Sequence, residues 1–335
     1  MRAPKFWKTR GLKALLLYPV SLIYARFALS RFNRNARYKA RLPVLCIGNL
    51  VAGGAGKTPT ALAIGKAAVK LGLKPIFLTR GYRGKLTGPV MVDLEKHSIA
   101  DVGDEALLLA QAAPTIVSVD RVAGAKLAES LQSHILIMDD GFQNPYLYKD
   151  FNLVAIDAQQ AIGNGFVMPA GPLRAPLLPQ VRRADQFLVI GEGNSAPKLR
   201  QMAARLGKAS SHAYFSAEPT SLLEGTRVLA LCGIGRPEKF YQTVNSLGLE
   251  IVDKYEVADH YAYTNADALQ VLHKAKDQNL VVVTTAKDHV RLKSMSGAGE
   301  DLARAAKVIE ISMAFDDRAF PRLVLEQTQR KFSRR

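Results

Sequence analysis

The sequence predicts an α/β protein: a mostly parallel sheet flanked by helices, joined to a second, smaller α/β domain and preceded by an N-terminal amphipathic helix suited to a membrane surface. Three observations carry this. Residues 42–62 (LPVLCIGNLVAGGAGKTPTAL) pass from a strand-type run through a glycine turn into a helical period. Residues 135–140 (ILIMDD) put two acids at the end of an apolar run. Strand and helix patterns then alternate almost to the end of the chain, with a fresh α/β unit starting at Arg227.

A strand, a glycine-rich loop and a helix N-terminus in that order bring backbone N–H groups and the positive end of a helix dipole to one point, which suits a polyphosphate. The larger sheet is therefore read as P-loop NTPase-like, with Val51, Ala52, Gly53, Gly54, Ala55, Gly56, Lys57 and Thr58 binding ATP. Lys57 would reach the terminal phosphates, and the Thr58 hydroxyl would ligate Mg²⁺. The pattern G-x-x-x-x-G-K-[ST] asks for glycine at position 51, where this chain has valine. A plain glycine turn beside a lysine is the competing reading, and the strand-to-helix setting of GGxGKT speaks against it.

With 335 residues, 48% of them hydrophobic, the chain can bury two cores. The expected division is an N-terminal segment 1–40, a core domain 41–210 and a smaller domain 211–330. Cys46 and Cys232 lie in separate apolar runs with neither metal spacing nor a disulfide framework, so they read as core residues in a reducing cytosol. The net charge of +17 is localised: residues 1–92 hold eighteen of the 46 Lys and Arg and no acid, leaving 28 bases against all 29 acids beyond. A nucleic-acid binder would place such charge on reading elements beside stacking aromatics. Here it flanks an apolar stretch, so no nucleic acid is expected as a partner.

That stretch, residues 14–25, is about 12 residues long, short of the roughly 20 that span a bilayer. Leu12, Leu16, Val20, Ile23 and Phe27 recur at helical spacing between basic flanks, with Trp7, Tyr18 and Tyr24 as further aromatics and Pro19 as an expected kink. Such a helix lies in the interface of an anionic membrane. A secretory signal is the poorer reading, because Tyr24-Ala25-Arg26-Phe27 is a poor cleavage site and export would separate a P-loop from ATP. A helix packed on the protein's own core needs only one apolar face and stays open.

Further along, strand 76–79 ends in Arg80-Gly81-Tyr82-Arg83-Gly84, at the carboxyl end where open α/β sheets place ligand loops. Val102-Gly103-Asp104-Glu105 opens a helix over 106–113, and its acids could simply cap it. Strand 115–119 leads to Asp120-Arg121 and a helix through Leu131. Strand 135–138 delivers Asp139-Asp140-Gly141-Phe142-Gln143, a Walker B arrangement in which a carboxylate at the strand tip holds Mg²⁺. Strands 153–157 and 187–190 bracket a Pro- and Gly-rich loop, 168–176, whose Arg174 suits a phosphate or substrate wall. A helix at 196–206 and a strand pair near 213–216 form the join. The second unit comprises strand 228–232, Gly233-x-Gly235 and a helix to Leu247, a polar loop 257–261, helix 266–276, strands 280–284 and 308–311, and a closing helix 320–330.

Taken together, GNLVAGGAGKTP, TRGYRG, VGDE, DDGFQ, PAGPLR, CGIGRPEKF, ADH and AKD, in this order, resemble the tetraacyldisaccharide 4'-kinases, the lipid A 4'-kinases of Gram-negative bacteria. The resemblance covers most of the chain, to about Asp288. It implies ATP- and Mg²⁺-dependent transfer of the γ-phosphate to the 4'-hydroxyl of a tetraacylated glucosamine disaccharide 1-phosphate, giving lipid IVA. It also implies a monotopic enzyme on the cytoplasmic face of the inner membrane, with no obligate protein partner. By position, Asp104 and His260 become the base pair acting with Lys57, and Asp139 and Asp140 join Thr58 at the metal. Asn49, Arg80, Tyr82, Arg121, Gln143 and Arg174 are the candidate substrate-binding residues. Three positions depart from the family pattern: Asn144 replaces His, Ala175 replaces Glu, and Ala286 replaces Glu, so no ionisable role operates there. The alternative function is a membrane-associated P-loop ATPase switch, which hydrolyses ATP without phosphorylating an acceptor.

Overall fold

The structure, a computed structural model, describes residues 4–193, 197–235, 237–259 and 261–335. A 3-10 turn (Lys5–Lys8) precedes α1 (Leu12–Phe32), β1 (Val44–Gly48), α2 (Lys57–Lys70), β2 (Pro75–Thr79), β3 (Val90–Met91), α3 (Ile99–Val102) and α4 (Asp104–Ala110). Next come β4 (Thr115–Val117), α5 (Arg121–Ser130), β5 (Ile135–Asp139), β6 (Phe151–Asp157), α6 (Leu177–Arg183), β7 (Gln186–Ile190), α7 (Pro197–Arg205) and β8 (Ala209–Ala217). The remainder is β9 (Arg227–Cys232), α8 (Pro237–Ser246), β10 (Glu250–Glu256), α9 (Asn265–Asp277), β11 (Val281–Thr285), α10 (Ala286–Lys293), α11 (Ala298–Ala305), β12 (Lys307–Ile309), β13 (Ile311–Phe315) and α12 (Phe320–Ser333).

Among the described residues the strands form a sheet of order β13-β8-β7-β6-β1-β5-β2-β4-β3 and a second of order β10-β9-β11-β12. The larger sheet is parallel from β8 to β4, with antiparallel edges at β13 and β3. Every residue of β1, β2 and β5 is buried, as continuous Val, Ile and Leu runs covered by helices on both faces require. One core layer gathers Leu50, Phe142, Ile156 and Phe187, and the other Ile64, Phe77, Leu153 and Val324. Because β1 sits between β5 and β6, with Ile47 opposite Asp139, the strand feeding the glycine loop and the strand ending in acids finish side by side.

The C-terminal stretch departs from expectation. The strand read at 308–311 is two strands in different sheets: β12 runs parallel to β11, and β13 turns antiparallel to β8. Helix α12 then buries Phe320, Val324 and Leu325 in the larger core instead of closing the smaller unit, because its apolar face matches the layer over α2 and β1. The strand pair near 213–216 is the single strand β8, hydrogen-bonded to β7 on one side and β13 on the other. Strand β10 carries no continuous apolar run, because its exposed alternate residues include the charged Glu250, Lys254 and Glu256.

Helix α1 also corrects its expectation. It continues through Pro19 for 21 residues with a mean hydropathy of 1.5, so it is about 30 Å long by its rise per residue and not limited to the 12-residue apolar run. Nor is it divided into one apolar and one polar face: Leu12, Leu15, Leu16, Tyr18, Val20, Leu22, Ile23, Tyr24 and Phe27 are all exposed and spread around most of its circumference. Only a narrow strip, Ala14 and Ser21, is buried against the protein along most of its length, which sets aside the reading of a helix packed into its own core.

Candidate active site

Helix α2 starts at Lys57 because Gly56 adopts a left-handed conformation (φ 80°) that ends the loop and aims the first turn back over the strand tips. Among the described residues, the amides of Gly53, Gly54, Ala55 and Gly56 have no protein acceptor, so four donors sit on one bend beside the helix N-terminus. The Thr58 hydroxyl donates to Asp139 Oδ2 at 3.0 Å, which joins the P-loop to the tip of β5. The other Asp139 oxygen, Oδ1, is buried without a partner. Burial, then the charges of Glu105 and Asp140, push the Asp139 carboxyl up to about 7 against the opposing effects of Lys57 and Thr58.

Asp140 takes a left-handed conformation (φ 51°), which turns its side chain away from the strand path. Arg174 grips it with both guanidinium nitrogens, Nη1–Oδ1 at 2.7 Å and Nη2–Oδ2 at 3.1 Å, while Lys57 Nζ lies 3.6 Å from Oδ2. Burial alone would raise this carboxyl; Lys57 and Arg174 outweigh it and hold Asp140 at about 2. Arg174 also donates from Nε to the Val51 carbonyl and from Nη1 to Gln143 Oε1. Gln143 Nε2 donates to the Asn49 carbonyl and to Gln180 Oε1, and Asn49 Nδ2 donates to the Gly53 carbonyl. Asn49, Lys57, Thr58, Asp139, Asp140, Gln143 and Arg174 thus belong to one network. Val51 is buried there, bridged to Leu173, which accounts for an apolar residue where the pattern has glycine.

Arg121 is buried at the start of α5 and donates to the Ser118 carbonyl. Burial lowers its guanidinium to about 10 against the attraction of Asp140 and Asp139, so it faces the same charges without touching them. Arg80 and Tyr82 are exposed on the loop after β2, where the Arg83 guanidinium lies over the Tyr82 ring and the Arg80 charge is felt at Arg121.

Asp104 stands elsewhere. As the first residue of α4 it is buried and accepts from Arg291 Nη2 at 2.6 Å. Arg291 Nη1 reaches Asp288 Oδ1 at 2.8 Å and the Gly233 carbonyl at 2.7 Å. Asp288 also accepts from the Gly233 amide and the Tyr263 hydroxyl, so the GxG turn is a helix entry tied to α10 and not a dinucleotide loop. Beside it, Lys287 pairs with Glu105 at 3.1 Å, and Glu105 in turn contributes to the field at Asp139. A third tie, Lys239 to Asp157 at 3.0 Å, joins α8 to the tip of β6. His260 lies outside the described residues.

Gln180 and Arg291 carried no signal of their own in the sequence, and Glu105, Lys287 and Asp288 stood in the GDE and AKD motifs without an assigned role. Glu105 was visible as the neighbour of Asp104, and Arg291 only by its place one helical turn past Asp288; the pairing across the two sheets was not. Of the three departures from the family pattern, Asn144 acts through its side chain, and Ala175 and Ala286 act through the backbone alone. Asn144 Oδ1 accepts from the Tyr146 and Leu147 amides, the Ala175 carbonyl accepts from Gln180, and Ala286 opens α10. No group of three His, Cys, Asp or Glu side chains able to hold a metal occurs among the described residues. Mg²⁺ does not require one, since it is bound through one or two protein oxygens plus phosphates and water.

The chain matches the family model described as tetraacyldisaccharide-1-P 4'-kinase over residues 13–329. The tetraacyldisaccharide 4'-kinase of Allorhizobium ampelinum is 45% identical over 341 residues, covering 100% of this chain and 99% of its own. That of Rhodopseudomonas palustris is 43% identical, covering 98% of this chain and 96% of its own. The crystal structure of LpxK from Aquifex aeolicus in complex with ATP is 24% identical, covers 95% of this chain and 99% of that one, and shares the fold with a TM-score of 0.72.

Proposed function

The chain belongs to the tetraacyldisaccharide-1-P 4'-kinase family, and from that premise we propose how its residues carry out the transfer of the γ-phosphoryl group from ATP to the 4'-hydroxyl of the tetraacyldisaccharide 1-phosphate. The triphosphate tail lies on the amides of residues 53–56 and the N-terminus of α2, with Lys57 against its terminal phosphates. The unpartnered Asp139 Oδ1, together with the Thr58 hydroxyl, fits Mg²⁺, which when bound offsets charge on the β- and γ-phosphate oxygens. Asp140 holds Lys57 and Arg174 in place, and Arg121 adds positive potential behind the strand tips.

The acceptor oxygen forms its bond to the γ-phosphorus as the bond from that phosphorus to the β-γ bridging oxygen breaks, and ADP leaves. The hydroxyl proton passes to Asp104 working with His260. Asn49, Arg80, Tyr82, Gln143 and Arg174 are the groups proposed to meet the substrate. The single observation carrying the reading is the Thr58–Asp139 contact, which brings the P-loop and the acid strand tip close enough to share one ion.

The functional division is a membrane segment (1–40), a nucleotide-binding core (41–210) and a smaller lobe (211–330), from which β13 and α12 return to the core. Helix α1 is proposed to lie in the cytoplasmic face of the inner membrane and not to cross it. Its mid-point residues Tyr18 and Ser21 rest on Phe166 and Val167, so a bilayer-spanning pose would carry the loop holding them into hydrocarbon. The reading is tested by transfer of radiolabelled phosphate from ATP. Label appears in the disaccharide lipid only when both Mg²⁺ and acceptor are present; acceptor-independent hydrolysis with no labelled lipid would overturn it.

A further inference from the structure

The loop between β6 and α6 is held on two sides. On its inner side, Ala52 N donates to the Pro172 carbonyl at 2.8 Å, Arg174 N donates to the Leu50 carbonyl at 2.9 Å, and Arg174 grips Asp140. This side of the loop therefore acts as a splint for the P-loop. On its outer side it is fastened to α1 and the segment leading into it. Trp7 Nε1 donates to the Pro169 carbonyl at 2.9 Å, Ser21 Oγ to the Val167 carbonyl at 2.6 Å and Arg10 Nε to the Asn164 carbonyl at 3.0 Å. The Arg10 guanidinium also stacks on Phe166, which packs against Tyr18.

Asn164 is the centre of the outer fastening. Its amide nitrogen faces the carbonyls of Phe6, Thr9 and Ala170 at 3.3, 3.2 and 2.9 Å; its side-chain oxygen accepts from Phe166 N, and its backbone amide donates to the Trp7 carbonyl. A residue 6% exposed with its amide committed in this way holds three chain segments at one point. The approach is tight enough that a Cβ at Gly171 would collide with Asn164 Oδ1.

We propose that Asn164 is a positioning residue that couples the seating of the N-terminal segment on an anionic phospholipid surface to the binding of Mg²⁺-ATP at the P-loop. The inference rests on the reading of α1 as the membrane element and of residues 51–58 as the nucleotide site. Seating fixes the outer side of the 164–174 loop, and the nucleotide fixes its inner side. Each event orders a segment that the other must also order, so each strengthens the other, and by linkage the factor is the same in both directions.

The test uses the full chain, whose single tryptophan, Trp7, stands in the fastening. Vesicle flotation on phosphatidylcholine with phosphatidylglycerol is run beside calorimetric titration with Mg²⁺ and a non-hydrolysable ATP analogue, with and without vesicles. The expected result is nucleotide affinity at least about fivefold tighter on vesicles, with Trp7 emission responding to nucleotide. In Asn164→Ala the vesicle effect falls to within about twofold of none and the Trp7 response is lost, while nucleotide still binds in solution. Ser21→Ala, which removes one tie only, lowers the vesicle effect at least about twofold and decides the matter if Asn164→Ala does not fold. An unchanged vesicle effect in either folded variant, or a parent chain that floats and binds nucleotide with no vesicle effect, overturns the coupling. A parent chain that fails to float removes the membrane reading and the coupling with it, and one that binds no nucleotide removes the P-loop reading in the same way.

Discussion

At the phosphate end of the site, Thr58, Lys57 and Arg174 reach Asp139 and Asp140 from the P-loop and the β6–α6 loop, all within the larger sheet. At the GDE turn, by contrast, Asp104 and Glu105 are held by Arg291 and Lys287, both on α10 of the smaller sheet. The contacts proposed to hold the nucleotide therefore lie within the larger sheet, whereas the proposed base is held from the smaller one. A shift of α10 by even an ångström would be felt at Asp104 and Glu105 before it reached Lys57. The two pairs of acids answer to different parts of the chain.

Lys57→Ala breaks the phosphate end and has the largest expected effect on turnover. Losing the ammonium that offsets charge on the transferring group lowers kcat by on the order of a thousandfold. Folding survives, because Asp140 keeps its two-nitrogen contact with Arg174. Phosphate transfer measured beside thermal melting checks both halves, and a variant that instead unfolds would show that the phosphate end is less self-contained than the contacts require.

Arg291→Met breaks the other end. It takes the guanidinium away from two carboxylates, Asp104 and Asp288, that are both almost fully buried. Removing one partner of a buried ion network costs about 3–5 kcal/mol, read as a lower urea midpoint, so here activity and stability fall together. A loss under about 1 kcal/mol would mean that the joint between the sheets is not held by this guanidinium.

The same contrast governs how much could be read from the sequence. The phosphate end was legible because its parts are contiguous motifs, GGxGKT and DDGFQ, carried on strands that lie next to each other in the sheet. Val51, Gln143 and Arg174 fell into place from neighbouring loops. The joint was not legible: Asp104 and Arg291 are 187 residues apart, and nothing in the spacing of either motif names the other. The C-terminal strand and helix were assigned to the wrong unit for a related reason. The residues around Glu310 read as one strand, while the backbone there leaves the smaller sheet and joins the larger. The helical spacing of Leu12 to Phe27 marked α1, and the helix runs about one turn further, to Phe32, with Pro19 inside it.

A subtler comparison comes from pH. Lys57 and Arg174 depress Asp140 from its ordinary 3.8 to about 2, so the unfolded state binds the proton first as pH falls. The stability contributed by these pairs is fully present above about pH 4 and is lost as pH drops through 2. The melting-temperature gap between the parent chain and Asp140→Asn should therefore be constant near neutrality, narrow below pH 4 and close near pH 2. A third of the Asp140 side chain is exposed, so the gap is smaller than the one produced by Arg291→Met. A gap that persisted unchanged at pH 2 would show that Asp140 acts through its backbone turn and not through its charge.

The smallest effect is expected from the outer half of the joint. Lys287 and Arg291 lie one helical turn apart on α10 and face consecutive acids, Glu105 and Asp104, at the first turn of α4. The Lys287–Glu105 pair is about a quarter exposed on each side, so Lys287→Met costs only about 1 kcal/mol or less. The double variant tells more than the single one. If α10 and α4 separate as a unit, losing Arg291 already opens the contact that Lys287 makes. The double variant should then lose less stability than the two singles added together, by more than about 0.5 kcal/mol. Simple additivity in urea denaturation would instead make the two bridges independent, leaving Arg291 alone to set the position of Asp104.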